Sequence, residues 1–169
     1  ITQYTKNESW EIIDAFFKYH GLVPQISSYN EFIHNGIKKV ISQEPEINLP
    51  NAIIKFGDVT LLHPTVIEHD RTVRPLYPQD ARQRNLTYEF TLCLDIIEIN
   101  IDGDKREEKV CTRVPIAKIP AMVKSAICNL NDLSAYEQVK KGECSQDRGG
   151  YFIIRGNERV IVAQIRGNY

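Results

Sequence analysis

Apolar positions follow two regimes along the chain. Before Asn51 they recur at helical spacing; after it they come in short runs and alternations. Trp10, Ile12, Ile13, Phe16 and Phe17 line up about one turn apart, which predicts an amphipathic helix. Asn7 or Ser9 supplies its N-cap, and Gly21 stops it. Pro24 then keeps that helix from resuming. A second helix is expected from Ser28, with Glu31 completing a capping box. Phe32, Ile33, Ile37, Val40 and Ile41 form its apolar face, and Pro45 and Pro50 bracket the loop that follows.

The second regime reads as strands. Runs at 52–56 and 59–62 flank Gly57-Asp58, a hairpin-type dipeptide. Residues 69–84 contain Pro75, Pro78 and four arginines (Arg71, Arg74, Arg82, Arg84), and read as an ordered connection. From 86 to 101, Leu86, Tyr88, Phe90, Leu92, Leu94 and Ile96 alternate with a mixed face, the pattern of a half-buried antiparallel strand. Asp102-Gly103 predicts a hairpin into a return strand at 108–114. Residues 115–130 hold Pro115 and Pro120 and read as an ordered crossing with a short apolar strand. Leu133, Tyr136 and Val139 mark a short helix within 132–141, stopped by Gly142. Runs at 151–154 and 159–163 surround Arg155-Gly156-Asn157-Glu158, a last hairpin. The fold class expected is α+β: two N-terminal helices, a mainly antiparallel sheet with hairpins, and one late short helix. The expected organisation is a single domain over 1–169, helical over 9–42 and sheet-forming over 52–164.

Composition narrows the function classes. The 169 residues are 42% hydrophobic and 25% charged, with a net charge of −1, which is globular. No apolar run approaches the roughly 20 residues of a membrane span. No basic segment leading into an apolar core marks a secretory signal. The near-neutral total hides a split: residues 1–70 carry five Lys and no Arg against nine Asp/Glu, a net of −4, and residues 71–169 carry a net of +3. Cys93, Cys111, Cys128 and Cys144 contain no C-x-x-C pair, so reduced thiols are expected rather than a zinc site.

Local chemistry points away from catalysis. Gly149-Gly150 leads into a strand, not a helix, and lacks the helix N-terminus that a phosphate cradle needs. There is no G-x-S-x-G, no H-E-x-x-H and no Walker lysine. Asp102 and Asp104 flank a glycine without the further acids of a calcium loop. Arg82 and Arg84 admit two readings: contacts to backbone phosphates, or forks that satisfy internal carbonyls and carboxylates. Asp80 and Glu89 close by favour the second. Arg155 at the hairpin tip could likewise reach a phosphate.

The stretch Pro78-Gln79-Asp80-Ala81-Arg82-Gln83-Arg84-Asn85-Leu86-Thr87-Tyr88 resembles the P-x-(D/E)-x-R-x-R-x-(L/M)-T-Y signature of the second-largest, β-like subunit of multisubunit DNA-directed RNA polymerases. Three further stretches agree in the family's order. They are Phe16-Phe17, Gly21-Leu22-Val23 and Ser28-Tyr29-Asn30-Glu31-Phe32; then Ile119-Pro120-Ala121-Met122-Val123-Lys124-Ser125 with Cys128; then Glu143-Cys144 and Gly149-Gly150-Tyr151-Phe152-Ile153-Ile154 through Glu158-Arg159-Val160-Ile161-Val162-Ala163-Gln164. The likeness is to the eukaryotic, archaeal and large-DNA-virus enzymes. Gln83, Arg148, Arg155 and Ile165 depart from the family's common residues, and residues 166–169 do not continue its sequence.

The resemblance implies a part of a transcribing nucleotidyltransferase: the first portion of the protrusion domain of a much longer subunit, lining the cleft and inactive alone. Ile1 fits an excised piece. The implied partners are the other polymerase subunits, above all the largest, with template DNA, the RNA–DNA hybrid and initiation factors. No membrane is involved, and the location is nucleus or cytoplasm, or host cytoplasm or virion for a virus. Catalytic residues and resident metals are expected to be absent from this stretch, magnesium and zinc belonging to other parts of the enzyme. Arg82, Arg84, Arg155 and Arg159 are the residues expected near nucleic acid. The alternative is a stand-alone interaction module, a decoy or adaptor that kept the fold.

Overall fold

The computed structural model describes residues 10–11, 24–44, 46–102, 105–162, 164–165 and 167. Trp10 and Glu11 are helical; the rest of the first expected helix, with its caps and Gly21, lies outside the described residues. Helix α1 (Pro24–Glu31) runs through one π-helical turn, Phe32–Gly36, into α2 (Ile37–Gln43). It starts earlier than the Ser28 capping box predicts. Pro24, expected to lie ahead of the second helix, is already helical.

Strands β1 (Ile47–Leu49), β2 (Ala52–Leu62), β5 (Glu89–Asp102) and β6 (Lys105–Pro120) form an antiparallel sheet in the order β1-β2-β5-β6. Gly57-Asp58 does not turn the chain. It forms a bulge inside one continuous strand, with Phe56 facing Ile96 and Val59 facing Leu94. A Cβ on Gly57 would stand 3.1 Å from Asp95 Cβ, so glycine admits the close approach. β6 runs through Pro115 to Pro120, longer than expected, and residues 121–130 form no separate strand. An edge strand tolerates these prolines because its outer N–H groups need no partner. The β5–β6 register extends to Asp102 opposite Lys105; the Gly103-Asp104 turn lies outside the described residues.

Two small antiparallel pairs complete the fold: β3 (Thr65–Ile67) with β4 (Val73–Pro75), and β7 (Phe152–Ile154) with β8 (Asn157–Arg159). Helix α3 (Pro78–Gln83) occupies the arginine-rich connection, and α4 (Ala135–Lys140) is the late helix. Ser134 and Glu137 form a capping box at α4. Of its expected apolar stripe, Leu133 packs against the core but Tyr136 and Val139 are exposed, and Gln138 is the buried residue within the helix. Gln138 Nε2 donates to the carbonyls of Leu133 (2.9 Å) and Leu130 (3.3 Å), while its Oε1 accepts from Lys124 Nζ at 3.0 Å. Fully paired, that amide is stable in the interior.

The core joins the helices to the irregular chain on either side of the sheet. Ile33 and Ile37 pack with Tyr88, Phe90, Val123, Ile127, Leu130 and Ile153. Each large apolar side chain buried there contributes about 1.5–3 kcal/mol. Backbone bonds weave these segments together: Tyr88 N–H donates to Ile153 O (2.9 Å), Ala121 N–H to Tyr88 O (2.8 Å), and Val123 N–H to Tyr151 O (2.9 Å). Among the described residues, no helix is long and apolar enough to cross a membrane.

Candidate functional site

Helix α3 places Arg82 where four distant pieces of chain meet. Its Nε donates to Glu158 Oε1 (2.8 Å), and its Nη1 to Glu143 Oε2 (3.0 Å) and Gln79 Oε1 (3.1 Å). Its Nη2 donates to the Tyr151 hydroxyl (2.6 Å), which in turn donates to Asp147 Oδ2. Glu143 is almost fully buried, and its second oxygen accepts the Gln79 N–H at 2.5 Å. Burial by itself would lower the Arg82 pKa; the hydrogen bond and charge of Glu143 with those of its neighbours outweigh it, and the guanidinium is held above the ordinary arginine range. Burial, then the bond to Asp147, pushes the Tyr151 phenol up. The group is a clasp: it ties α3 to the loop after α4, to Tyr151 just ahead of β7, and to Glu158 of β8.

A second arginine group gathers around Glu68. Arg84 grips Glu68 with both Nη atoms, at 2.8 and 3.0 Å, a bidentate fork. Arg74 Nε also donates to Glu68, and its Nη1 reaches Asp80 at 3.2 Å. Hydrogen bonds from Arg84 and then Arg74 hold the Glu68 carboxyl down at about 2. The acids next to Arg82 in sequence serve other cations: Asp80 pairs with Arg74, and Glu89 with Lys118 at 3.1 Å.

Arg155 and Arg159 stand apart from both groups. The β7–β8 register leaves Arg155 and Gly156 as a two-residue turn, at φ 50° and 76°, a type I′ geometry. Gly156 packs on the end of α3: a Cβ there would come 2.7 Å from Asn85 Oδ1 and 3.0 Å from Asn85 Cα. Gly156 N–H donates to Leu86 O at 2.9 Å, and Arg155 N–H to Thr87 Oγ1 at 3.2 Å. The hairpin's backbone is thereby fixed while both arginine side chains remain exposed, and neither takes part in an ion pair among the described residues.

The structure thus brings Arg82 and the Arg155–Arg159 hairpin together through Glu158, and turns Arg84 toward Glu68. Sequence reasoning missed Glu143, Glu158, Tyr151 and Glu68 as partners. The first three lie 61, 76 and 69 positions from Arg82, beyond any local pattern. The one available signal was that they fall in the same stretches, Glu143-Cys144 and 149–158, that carried the resemblance. Described residues of the other stretches that carried the resemblance also meet. Tyr29 of α1 donates its hydroxyl to Pro120 O and meets the Phe152 ring edge-on at 5.5 Å. Burial raises its phenol to about 12 against a smaller backbone hydrogen-bond effect from Met122. Asn30 Oδ1 accepts from Ala126 N–H at 2.8 Å. All four cysteines are free thiols, and among the described residues no three His, Cys, Asp or Glu side chains converge as metal ligands.

A family model described as RNA polymerase beta subunit matches residues 21–167. Among curated proteins, the chain is 40% identical over 166 residues to a probable DNA-directed RNA polymerase II subunit RPB2 homolog of Invertebrate iridescent virus 3, covering 94% of the chain and 15% of the relative. It is 39% identical to DNA-directed RNA polymerase subunit Rpo2 of Saccharolobus solfataricus, covering 95% of the chain and 14% of the relative. It is 38% identical to subunit Rpo2N of Methanocaldococcus jannaschii, covering 91% and 32%. The chain therefore spans between about a seventh and a third of the length of these relatives. With a family model matching residues 21–167, and viral and archaeal relatives matching nearly its whole length, the chain belongs to the RNA polymerase beta-subunit family.

Proposed function

We propose that the chain works as a structural module of a second-largest RNA polymerase subunit, corresponding to the first part of the protrusion. In this reading it holds a hairpin bearing Arg155 and Arg159 beside nucleic acid and performs no phosphoryl transfer itself. The carrying observation is the division of labour among the arginines: the fixed hairpin offers two exposed guanidinium groups, whereas Arg82 and Arg84 spend theirs on internal carboxylates. Exposed arginines on a rigid turn suit sequence-independent phosphate contact. Its partners would be the other polymerase subunits, the largest foremost, with template DNA, the hybrid and initiation factors. The setting would be the cell interior or a virion.

The test is purification from the native source through a tag on this sequence. The expected result is co-elution with a largest polymerase subunit and with template-dependent RNA synthesis. Elution of the tagged protein free of polymerase subunits would refute the proposal and favour a stand-alone module.

A further inference from the structure

We propose that the cavity between the π-helical turn and the end of β2 is a binding site for a phosphate-class oxyanion. Three nitrogen-bearing side chains line it: His34, Lys38 and His63. No carboxylate lines it among the described residues, and its floor is apolar, with Ile33, Val59 and Leu61. None of the three basic side chains makes an ion pair among the described residues. A cavity of about 280 Å³ holds a phosphate group together with part of the molecule that carries it.

The three groups sit on fixed backbone. The π-helical turn closes with Ile37 N–H donating to Phe32 O, and such turns are frequent at functional sites. Ile33 and Ile37 are both buried, anchoring the helix, so His34 and Lys38, each one residue further on and four apart, share one flank. His63 directly follows the last residue of β2 and precedes Pro64, which is fully buried. Pro64 O accepts from Leu76 N–H at 3.0 Å and from Asn129 Nδ2 at 2.7 Å, which pins the backbone beside His63. The opposite wall, at Ala126, is held by Asn30. Lysine and imidazole N–H groups placed on rigid elements over an apolar floor match an oxyanion's acceptor oxygens, and a water-poor floor strengthens such bonds.

The test is an NMR titration of the 169-residue chain, following the imidazole Cε1–H signals. One arm uses inorganic phosphate and pyrophosphate; the other uses a short single-stranded oligonucleotide. The expected result is saturable shifts of His34 and His63 together, with His69 outside the cavity as an unmoved internal reference. Lys38→Met, at an exposed position, should weaken the response about tenfold while the circular dichroism stays unchanged. Saturation by the inorganic ions alone assigns a free anion; saturation at lower concentration by the oligonucleotide assigns a nucleic-acid phosphate. No saturable shift, equal movement of His69, or an unaltered Lys38→Met response overturns the proposal. These readouts do not involve Arg155 or Arg159, so they stand or fall separately from the hairpin.

Discussion

Removing Arg82 should cost far more than removing Arg84, although both read as the same kind of residue in sequence. Arg82→Ala strips Glu143 of its cation while the carboxylate stays only 3% exposed. Breaking a buried pair from one side costs about 3–5 kcal/mol, because the remaining charge is left in the interior. Glu143 keeps the Gln79 N–H, and Arg82 itself is one-fifth exposed, which places the cost near the lower bound, about 3 kcal/mol. The Glu158 pair adds little, since that carboxylate is 56% exposed. For a chain of this length, about 3 kcal/mol lowers Tm by about 6–12 °C. Arg84→Ala leaves Glu68 with Arg74 in a wetter place, where solvent screening makes the loss much smaller than that for Arg82→Ala. Urea and thermal unfolding followed by circular dichroism read both. Arg82→Lys should not rescue, because an ammonium cannot serve Glu158, Gln79, Glu143 and Tyr151 at once. Arg82→Met combined with Glu143→Met should cost less than Arg82→Ala, since the stranded charge is gone. Equal losses for Arg82→Ala and Arg84→Ala, or a loss under about 1 kcal/mol for the former, would refute the clasp.

Gly149→Ala should destabilise by at least about 2 kcal/mol, because its Cβ would lie 2.4 Å from Val123 O at a φ of +71°; urea midpoints check it. Stability should fall in acid as Glu68 protonates. Its carboxyl is depressed to about 2 from an ordinary 4.5, so its contribution is complete above pH 4.5 and is lost as pH drops toward 2. Glu68→Gln should flatten that part of the Tm–pH curve, and an unchanged curve would count against the Arg84–Glu68–Arg74 group. Duplex DNA should bind the chain more weakly than micromolar at physiological salt, and Arg155→Ala with Arg159→Ala should lower the log–log salt slope by about 2. Arg84→Ala should leave that slope unchanged in the same fluorescence-anisotropy titration.

Local pattern alone determined the α+β class, the long β5–β6 hairpin, the existence of the last hairpin (though its return strand is 157–159, not 159–163) and the family. These follow from period, from turn residues such as Arg155-Gly156, and from motif order, all carried by neighbouring positions. What it could not decide was which way each element faces. Tyr136 and Val139 have helical spacing yet point to solvent, while Gln138 is buried because carbonyls of Leu130 and Leu133 wait for it. Gly57-Asp58 has turn chemistry yet becomes a bulge, because β5 offers Ile96 and Leu94 on both sides of it. The arginines show the same limit most clearly. Arg82 and Arg84 differ by two positions and by nothing in local context, and only the folded chain delivers buried Glu143 to one and half-buried Glu68 to the other. Their partners lie 61 and 16 residues away. Charge pairing depends on distance in space and on the dielectric around the pair, and neither is written in sequence spacing.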